Sequence, residues 1–360
     1  MKIAVLGSGN GGHAVAFECA KAGHDVYMFD FPQFSKAVDA IQAAGGIYSE
    51  GRMEGFQKVA YAGTDIAEVL KGAEMIFAVG PSYSTEPFAQ ACAPYVEDGQ
   101  TYIIMPSSCM GALTFKNALG VDVKDTRITV AETNTLPYAV RIIEPSKIEV
   151  FNRLPAAYSI ATMPREKGDE VYAVVKEIFE GIEKAESILQ TTLSNSNPII
   201  HPVVSLLNAG LIERTKGDFE FYHEGITPAV GNLMEAIDNE RIAIGAGLGL
   251  EIERSTIKGY RQGYFDKITD DYCDAYSTAP GFAGIKAQSQ LDHRYFNEDL
   301  GYTTILLVDI ADRIGVEVPA MKALITLISV IMKRDYMANP PRTLETLGLG
   351  DFTKEDLLKF

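Results

Sequence analysis

The sequence predicts an α/β domain built on a mostly parallel sheet, followed by an all-α domain. Two observations carry this. Over residues 1–188, short apolar runs of strand length alternate with segments of helical spacing, the pattern of a parallel sheet covered by helices on both faces. From about Ser194 the strand signal gives way to long helical periodicity, which assigns residues 189–360 to the second domain.

The first strand is Lys2–Leu6 (KIAVL), short and apolar enough to be buried. Gly7-Ser8-Gly9-Asn10-Gly11-Gly12 follows, with Gly-x-Gly-x-x-Gly at positions 7, 9 and 12. Helical spacing runs from His13 to Ala22, Gly23 stops it, and Asp25–Phe29 reads as a second strand ending on Asp30. Gly7 permits the tight turn, Gly9 lets backbone approach a pyrophosphate, and Gly12 lets helix and strand pack closely. The helix start adds unpaired N–H groups and a positive dipole end. Glycines alone would fit an ordinary turn. Between a strand and a helix, with a carboxylate eighteen positions beyond Gly12, they mark a Rossmann dinucleotide site. The candidate cofactor residues are Gly7, Gly9, Asn10, Gly11, Gly12 and Asp30. A carboxylate at this strand end suits a ribose diol and repels a 2′-phosphate. Phe31–Phe34 supply no arginine to hold that phosphate, so NAD(H) is expected over NADP(H).

Further along, Ser35–Ala44 reads as a helix closed by Gly45-Gly46, Val59–Ala60 as a strand candidate and Asp65–Lys71 as a short helix. Met75–Val79 and Thr101–Met105 read as buried strands flanking a helix at Ser84–Tyr95. Ile128–Glu132, Ile148–Phe151 and Tyr158–Met163 are further strands, and Arg165–Gly181 is a covering helix. The polar stretch Glu132–Tyr138, with Arg141 beyond it, reads as a connector between two strands. The helical half comprises Pro198–Glu213, Pro228–Gly249, Ser255–Phe265, Leu300–Ile314 and Val318–Tyr336. Ala323–Met332 (ALITLISVIM) is more apolar than one buried helical face needs, which suits either a homodimer contact or a fully buried helix.

Composition narrows the function. With 360 residues and a net charge of −16, the chain can bury a large core but suits neither nucleic acid nor an anionic membrane surface. No apolar run approaches the roughly 20 residues that span a bilayer. The four cysteines (19, 92, 109 and 273) fit no zinc spacing, so no metal is expected; free thiols and the lack of a basic-plus-apolar leader suit the cytoplasm.

Two constellations in the helical half could carry chemistry. In Asn195–Pro202, Asn197 before Pro198 reads as a helix cap. His201 then lies in the first turns, facing the positive dipole end, where a neutral imidazole can exchange protons. Asn208, seven residues on, shares its face. In His293–Gly301, Asn297 with Glu298 and Asp299 reads as a cap and an acid-rich first turn, and Arg294 is either a surface charge or a fork for a carboxylate. His13, His24 and His223 offer less, the last following an aromatic packing segment, Phe219–Tyr222.

Five strings together resemble the opine dehydrogenases of the octopine/nopaline type: GSGNGGHA at the start, ETNTLPYAVR at 132–141, NPIIHPVVSLLNAG at 197–210, YHEGITPAVG at 222–231 and RYFNEDLGY at 294–302. The resemblance implies a Rossmann domain and a helical domain like the C-terminal one of 6-phosphogluconate dehydrogenase, with the substrate in the cleft between them. It implies NAD(P)H-dependent reductive condensation of a 2-oxo acid, often pyruvate, with the amino group of an amino acid. It places a catalytic histidine and its partner aspartate on His201 and Asp299. Arg294 falls on the arginine that meets a substrate carboxylate, and Asn208 and Thr135 are carried as further substrate contacts. Family members tend to have a glycine-rich turn where this chain has Pro106-Ser107-Ser108-Cys109-Met110-Gly111, a departure that bears on substrate choice. Two other readings share the fold: a plain keto-acid/hydroxy-acid dehydrogenase, and a non-catalytic NAD-binding sensor.

Overall fold

The structure, a computed structural model, describes residues 1–107 and 109–360. It divides into two compact units, Met1–Thr191 and Thr192–Phe360. In the first, twelve strands form two sheets among the described residues. They are β1 (Lys2–Leu6), β2 (Asp25–Phe29), β3 (Gly46–Gly51), β4 (Gly55–Lys58), β5 (Tyr61–Gly63), β6 (Met75–Ala78), β7 (Thr101–Ile104), β8 (Thr129–Thr133), β9 (Tyr138–Glu144), β10 (Lys147–Arg153), β11 (Tyr158–Met163) and β12 (Ile182–Lys184). The helices are α1 (Asn10–Lys21), α2 (Ser35–Ala44), α3 (Ile66–Leu70), α4 (Thr85–Cys92), α5 (Gly111–Ala118), α6 (Gly168–Ile178) and, at the junction of the units, α7 (Ile188–Leu193).

The larger sheet has the order β12-β11-β8-β7-β6-β1-β2-β5. It is parallel from β8 through β5, and β11 turns antiparallel against β8. β1 is bonded on one side to β2 and on the other to β6. Chain order reverses there, and the crevice outside the carboxyl end of such a strand is where an open α/β sheet takes its ligand.

The smaller sheet, β4-β3-β10-β9, departs from expectation. Glu132–Tyr138 is not a bare connector, since its ends belong to β8 and β9. Val59–Ala60 forms no strand and falls between β4 and β5. This second sheet packs on α1, so Ala14, Val15, Ala16, Phe17 and Cys19 are all fully buried. Glu18 goes under with them, and its carboxylate accepts from Arg153 (2.5 Å) and from the Tyr138 hydroxyl. Burial and the neighbouring Glu18 push the Tyr138 phenol far above its ordinary value, so it stays protonated as a donor.

The second unit is helical: α8 (Asn197–Leu207), α9 (Ala209–Thr215), α10 (Pro228–Gly247), α11 (Ser255–Arg261), α12 (Tyr272–Ser277), α13 (Arg294–Asn297), α14 (Ile305–Ile314), α15 (Pro319–Met332) and α16 (Lys354–Leu357). Its core holds a buried ion pair one turn apart on α10, Asp238 with Arg241 at 2.6 Å. Tyr272 Oη and the Ser255 N–H donate to the same carboxylate. The helix expected over 198–213 breaks at Asn208. α15 is not fully buried: Met321, Leu324, Ile325 and Ile328 face the core, while Leu327, Val330 and Ile331 are 52%, 69% and 41% exposed. Among the described residues no helix is long and apolar enough to cross a membrane.

Candidate active site

The cofactor end is built by the turn from β1 into α1. Gly7 has φ +102°, and a Cβ there would run into the Val79 carbonyl; one at Gly12 would run into the carbonyl of Gly7. Gly11 lies under Leu136 and Val79, where a Cβ would come within 3.0–3.1 Å of their side chains. Above Gly9 the space is open, and no side chain caps α1 and no acidic residue stands in its first turn. Free N–H groups, a dipole end and open space suit a pyrophosphate, so these residues fit a dinucleotide. Gly12→Ala is expected to force α1 away from β1 at a cost of about 1–3 kcal/mol. NADH binding, measured by fluorescence titration, should weaken at least about fivefold.

The Asp30 carboxylate is 7% exposed and accepts from Ser8 N (2.7 Å), Ser8 Oγ (2.6 Å) and Phe31 N (2.8 Å). It fixes the glycine turn to the end of β2 as well as presenting a negative charge there. The Asn10 side-chain oxygen is spent elsewhere, since it accepts from the Ile142 N–H at 2.8 Å. That leaves its backbone and the amide N–H donors for a cofactor.

In the turn after β7, the Ser107 hydroxyl accepts from Gly111 N (2.8 Å) and the buried Glu132 carboxylate from Ala112 N (2.9 Å). These two side chains start α5 in place of a glycine-rich loop. Ser108 lies outside the described residues. Thr135 sits between β8 and β9 in this same unit, its carbonyl bonded to the Thr133 hydroxyl at 3.1 Å.

In the helical unit, His201 Nδ1 lies 2.8 Å from Asp299 Oδ2, with the two residues 8% and 2% exposed. A carboxylate only accepts, so Nδ1 carries the proton and Nε2 is left with the lone pair. That nitrogen lies 3.2 Å from the Tyr222 hydroxyl. The Tyr295 ring stacks on the imidazole at 4.0 Å between centroids and 19° between planes.

The local reasons differ from those read in the sequence. Asn197 is the first residue of α8, not its cap, and its N–H bonds Asn195 Oδ1 at 3.0 Å. Asn297 is likewise no cap: it ends α13, which His293 caps, and its Oδ1 accepts from Arg334 (2.6 Å) and Tyr336 (3.0 Å). Asp299 opens a π-helical turn, Asp299–Thr304, ahead of α14. A single π turn inside a helix is frequent at functional sites.

Arg294 is half-exposed and pairs with buried Glu298 at 2.8 Å. Burial disfavours its charge, but Glu298 and Asp299 outweigh that and hold the guanidinium above its usual value. Burial, with Arg294 and His201 close by, lowers the pKa of neighbouring His293. The Asn208 amide donates to the carbonyls of Val204 (2.9 Å) and Gly225 (2.8 Å). It ties the end of α8 to the loop that carries Tyr222. The sequence reading puts Tyr222 in a packing segment and gives Tyr295 no role, because aromatic residues most often serve packing.

Comparison with known proteins agrees with a Rossmann-like domain followed by a helical one. Residues 184–332 match the family described as NAD/NADP octopine/nopaline dehydrogenase, alpha-helical domain, and residues 2–111 match the NAD-dependent glycerol-3-phosphate dehydrogenase N-terminus. The chain is 32% identical to the opine dehydrogenase of Arthrobacter sp. (strain 1C), over 97% of this chain and 96% of that one. It is 22% identical to the octopine dehydrogenase of Pecten maximus, over 94% and 92%. Octopine dehydrogenase in complex with NADH and agmatine superposes with a TM-score of 0.80 at 18% identity, covering 99% of this chain and 98% of that one. Yersinopine dehydrogenase with NADP+ bound gives 0.71 at 13%, covering 99% and 95%. Both share the fold.

Proposed function

The chain belongs to the opine dehydrogenase family, NAD(P)-dependent oxidoreductases acting on CH–NH bonds, and from that premise we propose that it joins pyruvate to the amino group of an L-amino acid with NADH as reductant. The observation that carries this reading is the buried His201–Asp299 pair, an acid/base group with its orienting carboxylate.

Asp299 holds the imidazole in one tautomer and stabilises its protonated form. Arg294, steadied by Glu298, grips a substrate carboxylate as a two-pronged donor and orients the reacting carbon. In the oxidative direction His201 takes a proton from the water that adds to the C=N carbon; in the synthetic direction it returns one as water leaves. A dinucleotide held at the glycine turn would supply the hydride in the synthetic direction and accept it in the oxidative one. Thr135 contributes a hydroxyl to the substrate, and Asn208 supports the Tyr222 loop. Asp30 favours NADH, because its carboxylate is pinned by three hydrogen bonds where a 2′-phosphate would need a cation.

The test is NADH oxidation with pyruvate, with and without pooled L-amino acids, repeated with NADPH. Turnover that needs both organic substrates and prefers NADH is the expected result. Turnover with the 2-oxo acid alone would make the enzyme a hydroxy-acid dehydrogenase.

A further inference from the structure

His201 has two nitrogens, and the structure gives each a partner. The Nδ1 bond to Asp299 is 2.8 Å and charge-assisted; the Nε2 contact to Tyr222 Oη is 3.2 Å. Tyr222 is 6% exposed, and burial, together with the nearby Tyr295, Tyr264, Tyr276 and Asp299, pushes its phenol far above the ordinary value. The hydroxyl therefore keeps its proton and donates it to the Nε2 lone pair. Its ring is not free to swing: it stacks on Phe282 at 4.1 Å and meets Phe221 edge-on at 5.1 Å. Asn208, bonded to the Gly225 carbonyl, and His223, bonded to the Ala279 carbonyl at 2.9 Å, hold the same loop from either side.

We propose that Tyr222 is a positioning residue for the acid/base step, its hydroxyl holding the working nitrogen of His201 in the neutral, proton-accepting form until a substrate proton arrives. This rests on His201 being the acid/base group. The hydroxyl contact is the longer of the two and involves no ion, so it yields first when a proton reaches Nε2, while the Asp299 bond persists. The other titratable and charged groups around the imidazole are Asp299 on the π-helical turn, with His293, Arg294, Tyr295 and Glu298 on α13 and at its ends. All of them remain in the variant that tests the proposal.

That variant is Tyr222→Phe, which removes one oxygen and keeps the stacked ring. The loss of a donor that favours the neutral imidazole should move the acid limb of the kcat/KM–pH profile, measured in the oxidative direction, upward by about half to one pH unit. KM for the nucleotide should not change. Imidazole 15N NMR of the full chain, with His201 assigned by His201→Asn, reads the same contact without turnover. At high pH the Nε2 resonance should shift toward that of an unbonded imine nitrogen, with Nδ1 unaffected. An unmoved Nε2 resonance in folded Tyr222→Phe would overturn the proposal. A moved resonance in a protein whose turnover ignores His201→Ala would leave the contact standing and overturn the acid/base reading beneath it.

Discussion

Replacing His201 with alanine lowers kcat for the condensation by about 10²- to 10⁴-fold, the usual contribution of a positioned acid/base group. NADH binding should survive, because the glycine turn and Asp30 belong to the other compact unit. The imidazole is 8% exposed and has a partner at each nitrogen. Asp299→Asn gives a loss in the same range. An asparagine can turn an amide donor toward Nδ1, which removes the preference for the tautomer that leaves Nε2 basic. Steady-state kinetics beside a nucleotide titration checks both variants. Equal losses of turnover and of nucleotide binding would point to misfolding rather than to chemistry.

Asp238→Ala should strongly destabilise the helical unit. It leaves Arg241, 1% exposed, without its carboxylate, and strips the acceptor from Tyr272 and from the Ser255 N–H. Breaking one side of a buried pair costs about 3–5 kcal/mol, readable as a shift in the urea midpoint. Burial alone would push the Asp238 carboxyl up, but Arg241, Tyr272 and Ser255 outweigh it and hold the group below its usual range. The sign follows. A depressed folded-state value means full stabilisation above the unfolded value of about 3.9, lost as pH falls through the lower folded one. Stability should drop below about pH 4, and Asp238→Asn should flatten that dependence.

How much of this was legible in the sequence depended on range. The βα alternation, the glycine turn and the change to helical periodicity are local patterns, and β1, β2, β6, β7 and β8 stand close to where the apolar runs put them. Of the second sheet only β10 left such a trace, at Ile148–Phe151. β4 (GFQK) is mostly exposed, and the outer half of β9 is exposed too. β3 finds β10 in parallel only across a long stretch of intervening chain. Its presence explains why α1 is apolar on nearly every side, a feature that a single sheet would not require.

The site followed the same rule. Read locally, Asn197 and Asn297 were helix caps, a reading that the Asn195, Arg334 and Tyr336 contacts replace. That His201 and Asp299 belong together, 98 residues apart, came from family resemblance and not from spacing. Tyr222 opens one of the family-like strings, YHEGITPAVG, but nothing there gives it a role, since only the hydroxyl at the edge of an aromatic cluster separates it from a packing residue.

The central claim is that a carbon–nitrogen bond forms and is reduced in one active site. The most direct measurement is mass spectrometry of the product made from pyruvate, an L-amino acid and NADH carrying transferable deuterium. The expected product contains both carbon skeletons, is lighter by one oxygen atom than the two substrates together before the label is counted, and carries one deuterium on the former keto carbon. Deuterated lactate with the amino acid recovered unchanged would contradict it.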